Sequence, residues 1–152
     1  MLFRSESDLV SKGHRDFFFD IEVERDEDGY STPDEARSRI TSIAYYDKAG
    51  RTMKVLLLDE ARRVKHDSFS TNKYDVEIFD SEATMLMRFI NAFAEIQPTV
   101  ITGWNTDNFD IPYLVNRIKK VLGAQAVKKL SPVGIVEWNK KDRKSTRLNS
   151  SH

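Results

Sequence analysis

The spacing of the apolar residues changes from that of strands to that of helices near residue 81, and this change limits the folds open to the chain. In the first part of the chain the apolar residues form short β-branched and aromatic runs, of which Asp16 to Val23 (DFFFDIEV) is the clearest. From about residue 81 they recur every three or four positions, which is the spacing of one helix face. With a further strand between the two helices, the order is β-β-β-α-β-α. This order predicts an α/β domain with a mixed sheet.

The strands are bounded by turn residues and polar segments. After the first strand at 16–23, two more are predicted at about 40–46 and 52–58, joined by a short loop in which Gly50 can take the left-handed conformation. The three strands would form an antiparallel meander. A short extended piece is expected at 75–79, and the segment between strands one and two is an acidic loop.

Two helices are predicted from their apolar faces and their end signals. The first follows Ser81 or Asp80 as N-cap and stops at Pro98; its apolar face consists of Leu86, Phe89, Ile90, Phe93 and Ile96. A strand at 99–102 comes next. The second helix has Pro112 in its first turn and Gly123 just past its end, with an apolar face formed by Ile111, Leu114, Val115, Ile118, Val121 and Leu122.

Composition excludes several kinds of site. The chain of 152 residues has 24 Lys+Arg against 24 Asp+Glu and no cysteine, so disulfides, thiolate zinc sites and cysteine nucleophiles are absent. A metal would have to be bound by oxygen or imidazole. No apolar run reaches the roughly 20 residues of a membrane span, and no signal peptide opens the chain. We therefore expect a soluble protein with no membrane partner.

Both ends of the chain resemble translated sequencing adapter. Residues 142–152 (DRKSTRLNSSH) match the translation of a common short-read adapter, and residues 1–5 (MLFRS) match its reverse complement with gtg as start codon. We expect both segments to be adapter artefacts, the second of them disordered. Residues 6–15 are polar and lack a period, which indicates a linker or the tail of an upstream domain.

Three carboxylates could carry chemistry. Asp20 and Glu22 are two apart on the first strand and so face the same side, where they would repel each other unless a cation lies between them. Taken alone, the pair is also typical of a solvent-facing strand. Asp110 precedes the second helix, where an N-cap role is the ordinary explanation, with Asn108 as a competing cap. Helix starts in α/β folds also gather where ligands bind.

The combination is more informative than either part. The segments F19-D20-I21-E22 and N105-T-D-N-F109-D110 resemble the first and second exonuclease motifs of family B DNA polymerases, D-I-E and N-x-x-x-F-D. The phrase TGWNTDNFDIPYLVNRIK and the later KKLSPVG are most similar to the polymerases of large tailed bacteriophages. The resemblance covers about residues 16–136. It implies that residues 16–141 are the N-terminal part of a ribonuclease H-like 3′–5′ proofreading domain, incomplete at its C-terminus.

The resemblance also implies the chemistry. Two Mg²⁺ or Mn²⁺ ions would lie around the scissile phosphate, with Asp20 bridging both, Glu22 binding the ion on the nucleophile side, and Asp110 serving the second ion directly or through water. Asn105 and Phe109 would lie near the substrate strand, although structural roles for both remain open. The substrate would be the single-stranded 3′ end of primer DNA, and the partners of the parent protein would be its polymerase domains and a sliding clamp.

One part of the family pattern is absent. A third motif, Y-x-x-x-D, does not follow Asp110; Tyr30 and Asp34 have its spacing but precede the second strand. The chain by itself is therefore expected to be inactive. Two alternatives stay open, a non-catalytic nucleic-acid-binding module of the same fold and a stand-alone exonuclease. The expected location is the cytoplasm, that of an infected bacterial cell if the origin is a phage.

Overall fold

The computed structural model describes residues 13–65 and 68–136. The strands are β1 (Asp16–Val23), β2 (Ile40–Asp47), β3 (Thr52–Leu58), β4 (Ser68–Ser70), β5 (Asp75–Phe79) and β6 (Val100–Thr102). The helices are α1 (Glu82–Ile96), α2 (Asp110–Leu122) and the short α3 (Ala124–Val127), followed by a 3₁₀ turn (Lys128–Leu130). The segments predicted to be adapter, and most of the predicted linker, lie outside the described residues.

A six-stranded mixed sheet, in the order β4-β5-β3-β2-β1-β6, forms the centre of the fold. β1, β2 and β3 pair antiparallel, which confirms the predicted meander. β5 joins β3 in parallel, and β6 joins β1 in parallel along residues 16–18 only. The second half of β1 therefore extends past the end of its neighbour on that side.

The core lies between one face of the sheet and the helices. Phe17, Phe19 and Ile21 of β1 are buried, and the rings of Phe17 and Phe19 contact Phe89 of α1. The intervening residues of β1 are exposed, as the alternation of a half-buried strand requires. This core fixes β1 against α1 and leaves the opposite face of the strand open.

The helices begin and end close to the predicted positions. α1 starts after Ser81, but the Ser81 side chain makes no capping hydrogen bond, and the residue contributes its carbonyl to Met85 and Thr84 instead. Gly123 ends α2 with φ +90° and donates its N–H to Lys119, which fits its predicted place after the helix. None of the helices within the described ranges is long and apolar enough to span a membrane.

The hairpin between β2 and β3 differs from the prediction. Arg51, with φ +51°, is the residue in the left-handed conformation, whereas Gly50 is not. The Asp47 carboxylate lies over the turn, and a Cβ on Gly50 would come within 2.6 Å of Asp47 Oδ2. A side chain at position 50 would therefore displace the Asp47 carboxylate, and the prediction about the backbone conformation of Gly50 was wrong.

Candidate active site

Asp20 and Glu22 lie side by side on the open face of β1. Both are exposed, while Phe19 and Ile21 beside them are buried. The strand therefore separates the two kinds of residue as predicted, with the apolar side chains in the core and the two carboxylates together on the other face.

Asp110 reaches the same part of β1 from a distant place in the sequence. It is the first residue of α2 and is only 4% exposed. Its Oδ1 accepts a hydrogen bond of 3.2 Å from the backbone N–H of Ile21, the residue between the two acidic positions. Because β6 pairs with residues 16–18 alone, this N–H lies beyond the end of the parallel ladder, and its acceptor is the Asp110 side chain instead of a β6 carbonyl.

Neither Asp110 nor Asn108 is the N-cap of α2, although the sequence suggested each of them for that role. Phe109 occupies the N-cap position, and no side chain caps the helix there. Asn108 uses its Nδ2 to donate to Asn105 Oδ1 at 3.2 Å. The Asp110 carboxylate is thus free of the local task that its sequence position suggested, and it bonds to β1 instead.

The electrostatics of Asp110 place it in the field of the other two carboxylates. Burial raises the pKa of the Asp110 carboxyl above its ordinary value, and the negative charges of Asp20 and Glu22 raise that pKa further. The hydrogen bond from Ile21 acts in the opposite direction, because it stabilises the ionised form. Negative charge accumulates at this spot, which is the condition that favours a bound cation.

The loop between β6 and α2 is held tightly against β1. Asn105 has a left-handed backbone with φ +55°, and its carbonyl accepts the N–H groups of Asn108 and Phe109. The Phe109 ring stacks on Tyr113 with centroids 5.3 Å apart. Phe109 therefore packs within the protein, while Asn105 is exposed beside it. Their predicted contacts with substrate are not tested by these interactions.

Two aromatic side chains, Trp104 and Tyr30, are largely exposed. Trp104 is 91% exposed, so the ordinary expectation of a buried aromatic at a strand end is wrong here. Tyr30, in the loop after β1, is 67% exposed and lies under the Arg25 guanidinium, 5.9 Å from its ring centroid. The sequence drew attention to Tyr30 only through its spacing from Asp34, and its ring contact with Arg25 lies within the loop after β1.

The chemical type of the donor atoms suits a hard divalent cation. Carboxylate oxygens are the ligands that Mg²⁺ and Mn²⁺ prefer, and all three candidate side chains provide them. Across the described residues, no group of three or more His, Cys, Asp or Glu side chains is already gathered at metal-binding spacing. Asp20 and Glu22 are exposed, whereas Asp110 is buried and hydrogen-bonded to Ile21.

Comparison with known proteins gives the family. The family "DNA polymerase family B, exonuclease domain" matches residues 8–151. The chain belongs to this family of exonuclease domains. It is 33% identical over 137 residues to the DNA-directed DNA polymerase of Enterobacteria phage T4, a match covering 78% of this chain and 15% of that protein. The corresponding protein of Escherichia phage RB69 is 33% identical over 133 residues, covering 75% and 15%.

A more distant relative matches a shorter stretch. The DNA polymerase of Pyrococcus glycovorans is 46% identical over 46 residues, or 30% of this chain and 6% of that protein. The chain thus spans about 15% of the length of its phage relatives. The mixed sheet with its few helices is the ribonuclease H-like fold of a family B exonuclease domain, and the family is one of enzymes, as the motifs implied.

Proposed function

We propose that Asp20, Glu22 and Asp110 form the acidic centre of a proofreading 3′–5′ exonuclease, which removes the 3′-terminal nucleotide of a primer as a nucleoside monophosphate. The observation that carries the proposal is the hydrogen bond from Ile21 N–H to Asp110, because it joins the two family motifs at the one residue that lies between Asp20 and Glu22. The raised pKa of Asp110 supports it independently.

The three carboxylates would hold two Mg²⁺ or Mn²⁺ ions. Asp20 would help to hold both ions, Glu22 the ion that activates the attacking water, and Asp110, directly or through water, the ion that stabilises the leaving group. When bound, the ions supply Lewis-acid chemistry, namely a lower pKa for the attacking water and charge stabilisation for the leaving 3′ oxygen. The fixed position of Asp110 would orient the set, and the exposed Asp20 and Glu22 would close on the ions.

The DNA strand would approach over the open face of β1. Asn105 offers an exposed amide for positioning a phosphate or sugar, and Trp104 offers an exposed ring on which a base can stack. Phe109 would act mainly by keeping this loop in place through its stack on Tyr113. The acidic loop after β1 would lie away from the DNA backbone, since like charges repel.

A complete catalytic site would need a further carboxylate. No Y-x-x-x-D sequence follows Asp110, and we propose that the chain alone is inactive for this reason. In the parent protein, the polymerase domains would supply the primer end, and a sliding clamp would keep the protein on DNA.

The test uses the full-length parent protein. Changing Asp20 and Glu22 together to Ala should abolish 3′ hydrolysis of a single-stranded oligonucleotide and leave primer extension intact. Changing Glu27 and Asp28 to Ala, two exposed residues of the acidic loop, is the control and should leave hydrolysis intact. Undiminished hydrolysis in the Asp20 and Glu22 variant would refute the assignment.

A second candidate is a nucleic-acid-binding module that keeps the fold without catalysis. The lack of a Y-x-x-x-D sequence after Asp110 favours it for this chain. Titration of the present chain with Mn²⁺ distinguishes the two, because an ion that binds only the folded state stabilises it increasingly as its concentration exceeds the dissociation constant. A rise in melting temperature that disappears in Asp110→Asn supports the exonuclease; no rise supports the binding module.

A further inference from the structure

Glu82 is an acidic residue of a first helical turn, but unlike most such residues it is buried. It is the first residue of α1 and only 6% exposed. Its Oε1 accepts the backbone N–H of Ile40 at 2.8 Å and Nε of Arg117 at 2.9 Å, and its Oε2 accepts Nη2 of Arg117 at 2.7 Å. A carboxylate so enclosed is stable only because these donors replace the water it has lost.

Arg117 extends the same network to the other side. Its Nη1 donates to the carbonyl of Ala36 at 3.2 Å and to that of Arg37 at 2.7 Å. One guanidinium thus links α2 to α1 and to the end of the acidic loop, while Glu82 links α1 to the start of β2. A lysine could keep the charge but could not make these forked contacts.

The network lies next to the candidate active site by two routes. Along α2, Asp110, Tyr113 and Arg117 follow one another at turn spacing, and the Tyr113 hydroxyl donates to Ser38 O at 2.8 Å. Across the sheet, Ile40 pairs with Val23 at the register shift that immediately follows Glu22. The Glu82–Arg117 pair therefore holds α2 and the end of β1 in fixed positions relative to each other.

We propose that Glu82 and Arg117 are positioning residues for the acidic centre, which hold Asp110 at the height of Ile21 so that the carboxylates of β1 and α2 face one space. The inference rests on the proposed function. Neither residue touches the ions or the substrate; their role is to set the distance between two elements that carry the ligands.

The experiment compares Arg117→Lys and Glu82→Gln with Arg88→Lys in the full chain. Arg88 is a matched control because it also makes a forked pair, with Glu77, through bonds of 2.8 and 2.9 Å at a distance from Asp110 in the fold's other half. Two quantities are measured well below the melting temperature of every variant. They are hydrogen exchange of the Ile21 amide without metal, compared with the β2 amides other than that of Ile40, which bonds Glu82 directly, and the dissociation constant for Mn²⁺.

Arg117→Lys should weaken Mn²⁺ binding about tenfold or more, as is typical when a residue that supports a ligand is lost. It should also speed exchange at Ile21 more than at the amides of β2, since the Asp110 acceptor moves away. Arg88→Lys should change the exchange rates of the Ile21 amide and of the β2 amides by the same factor and leave the affinity for Mn²⁺ unchanged. Glu82→Gln preserves the shape of the side chain and should give the same two changes as Arg117→Lys. It replaces Arg117→Lys in the comparison if Arg117→Lys is too unstable to measure.

One result would overturn the inference, and a different result would overturn the proposed function on which it rests. If Ile21 and β2 amides speed up equally in Arg117→Lys and Glu82→Gln, the pair has a structural role only and the inference fails. If the unaltered chain does not bind Mn²⁺, the proposed function fails for this chain, and the Ile21 exchange still decides whether the pair positions Asp110.

Discussion

Replacing Gly103 by alanine is expected to destabilise the chain through two contacts at the start of the β6–α2 loop. A Cβ at this position would lie 2.6 Å from the backbone oxygen of Phe19 and 2.2 Å from Oγ1 of Thr106. Restoring a separation of 3.0 Å requires shifts of about 0.4 and 0.8 Å respectively. The Phe19 oxygen belongs to β1 and cannot move alone, so the loop must move instead.

The size of the effect follows from the crowding. Overpacking in a well-packed region costs about 1–3 kcal/mol, and a clash with backbone lies in the upper half of that range. With a urea dependence of about 1–3 kcal/mol per molar, the unfolding midpoint should fall by about 1 M. The displaced loop leads directly into Asp110, so the variant should also expose the Ile21 amide to faster hydrogen exchange.

Urea unfolding and amide exchange measure these effects. Gly13→Ala is the control, because nothing lies within 4 Å of the added methyl group. Combining Gly103→Ala with Thr106→Ala should recover part of the loss but not all of it, since the Phe19 contact remains. A midpoint for Gly103→Ala equal to that of Gly13→Ala would show that the loop yields freely and would refute the reasoning.

Four further outcomes are expected. Thr106 Oγ1 is buried and lacks a hydrogen-bond partner among the described residues, so Thr106→Val should raise the free energy of unfolding by about 1 kcal/mol; a lower value in urea titration would mean that the hydroxyl is bonded. Arg15 donates hydrogen bonds to the carboxylate of Asp47 and holds the pKa of Asp47 below the ordinary 3.8. The stability that this ion pair contributes is therefore present above pH 3.8 and is lost as the pH falls further. In Asp47→Asn the free energy of unfolding should fall less steeply in acid. Trp104→Ala should leave the melting temperature unchanged and weaken single-stranded DNA binding by about 1–3 kcal/mol, and equal binding would remove Trp104 from the DNA path. Resequencing the source locus should show a native sequence that differs from this one after Lys141.

The elements that the sequence predicts best are those with a strong local period. The bounds of β1 and β3 agree with the predicted runs, and α2 ends where Gly123 indicates. β4 has only the residues Ser68–Ser70, which is too short to show any alternation, and its pairing with β5 is what makes it a strand. The sequence did not predict it for that reason.

The site shows where local patterns stop being informative. The outward direction of Asp20 and Glu22 follows from strand alternation alone. The bond between Asp110 and Ile21 joins residues 89 positions apart, and the pair of Glu82 with Arg117 spans 35. In the sequence, Asp110 resembles a cap and Glu82 an ordinary acidic residue of a first helical turn. Only the packing of α2 against the sheet gives either one its partner.

The parallel pairing of β1 with β6 has a consequence for the order in which the chain folds. β1 and β2 are neighbours in sequence and can pair early, but the other edge of β1 must wait for a strand that is synthesised about 80 residues later. At about 5–20 residues per second, the Ile21 amide leaves the ribosome roughly 4–18 seconds before its acceptor. During that interval the edge is open to pairing with other chains. The carboxylates of the acidic centre therefore come together only at the end of folding, and slow synthesis or crowding should reduce the yield of the site before it affects the meander.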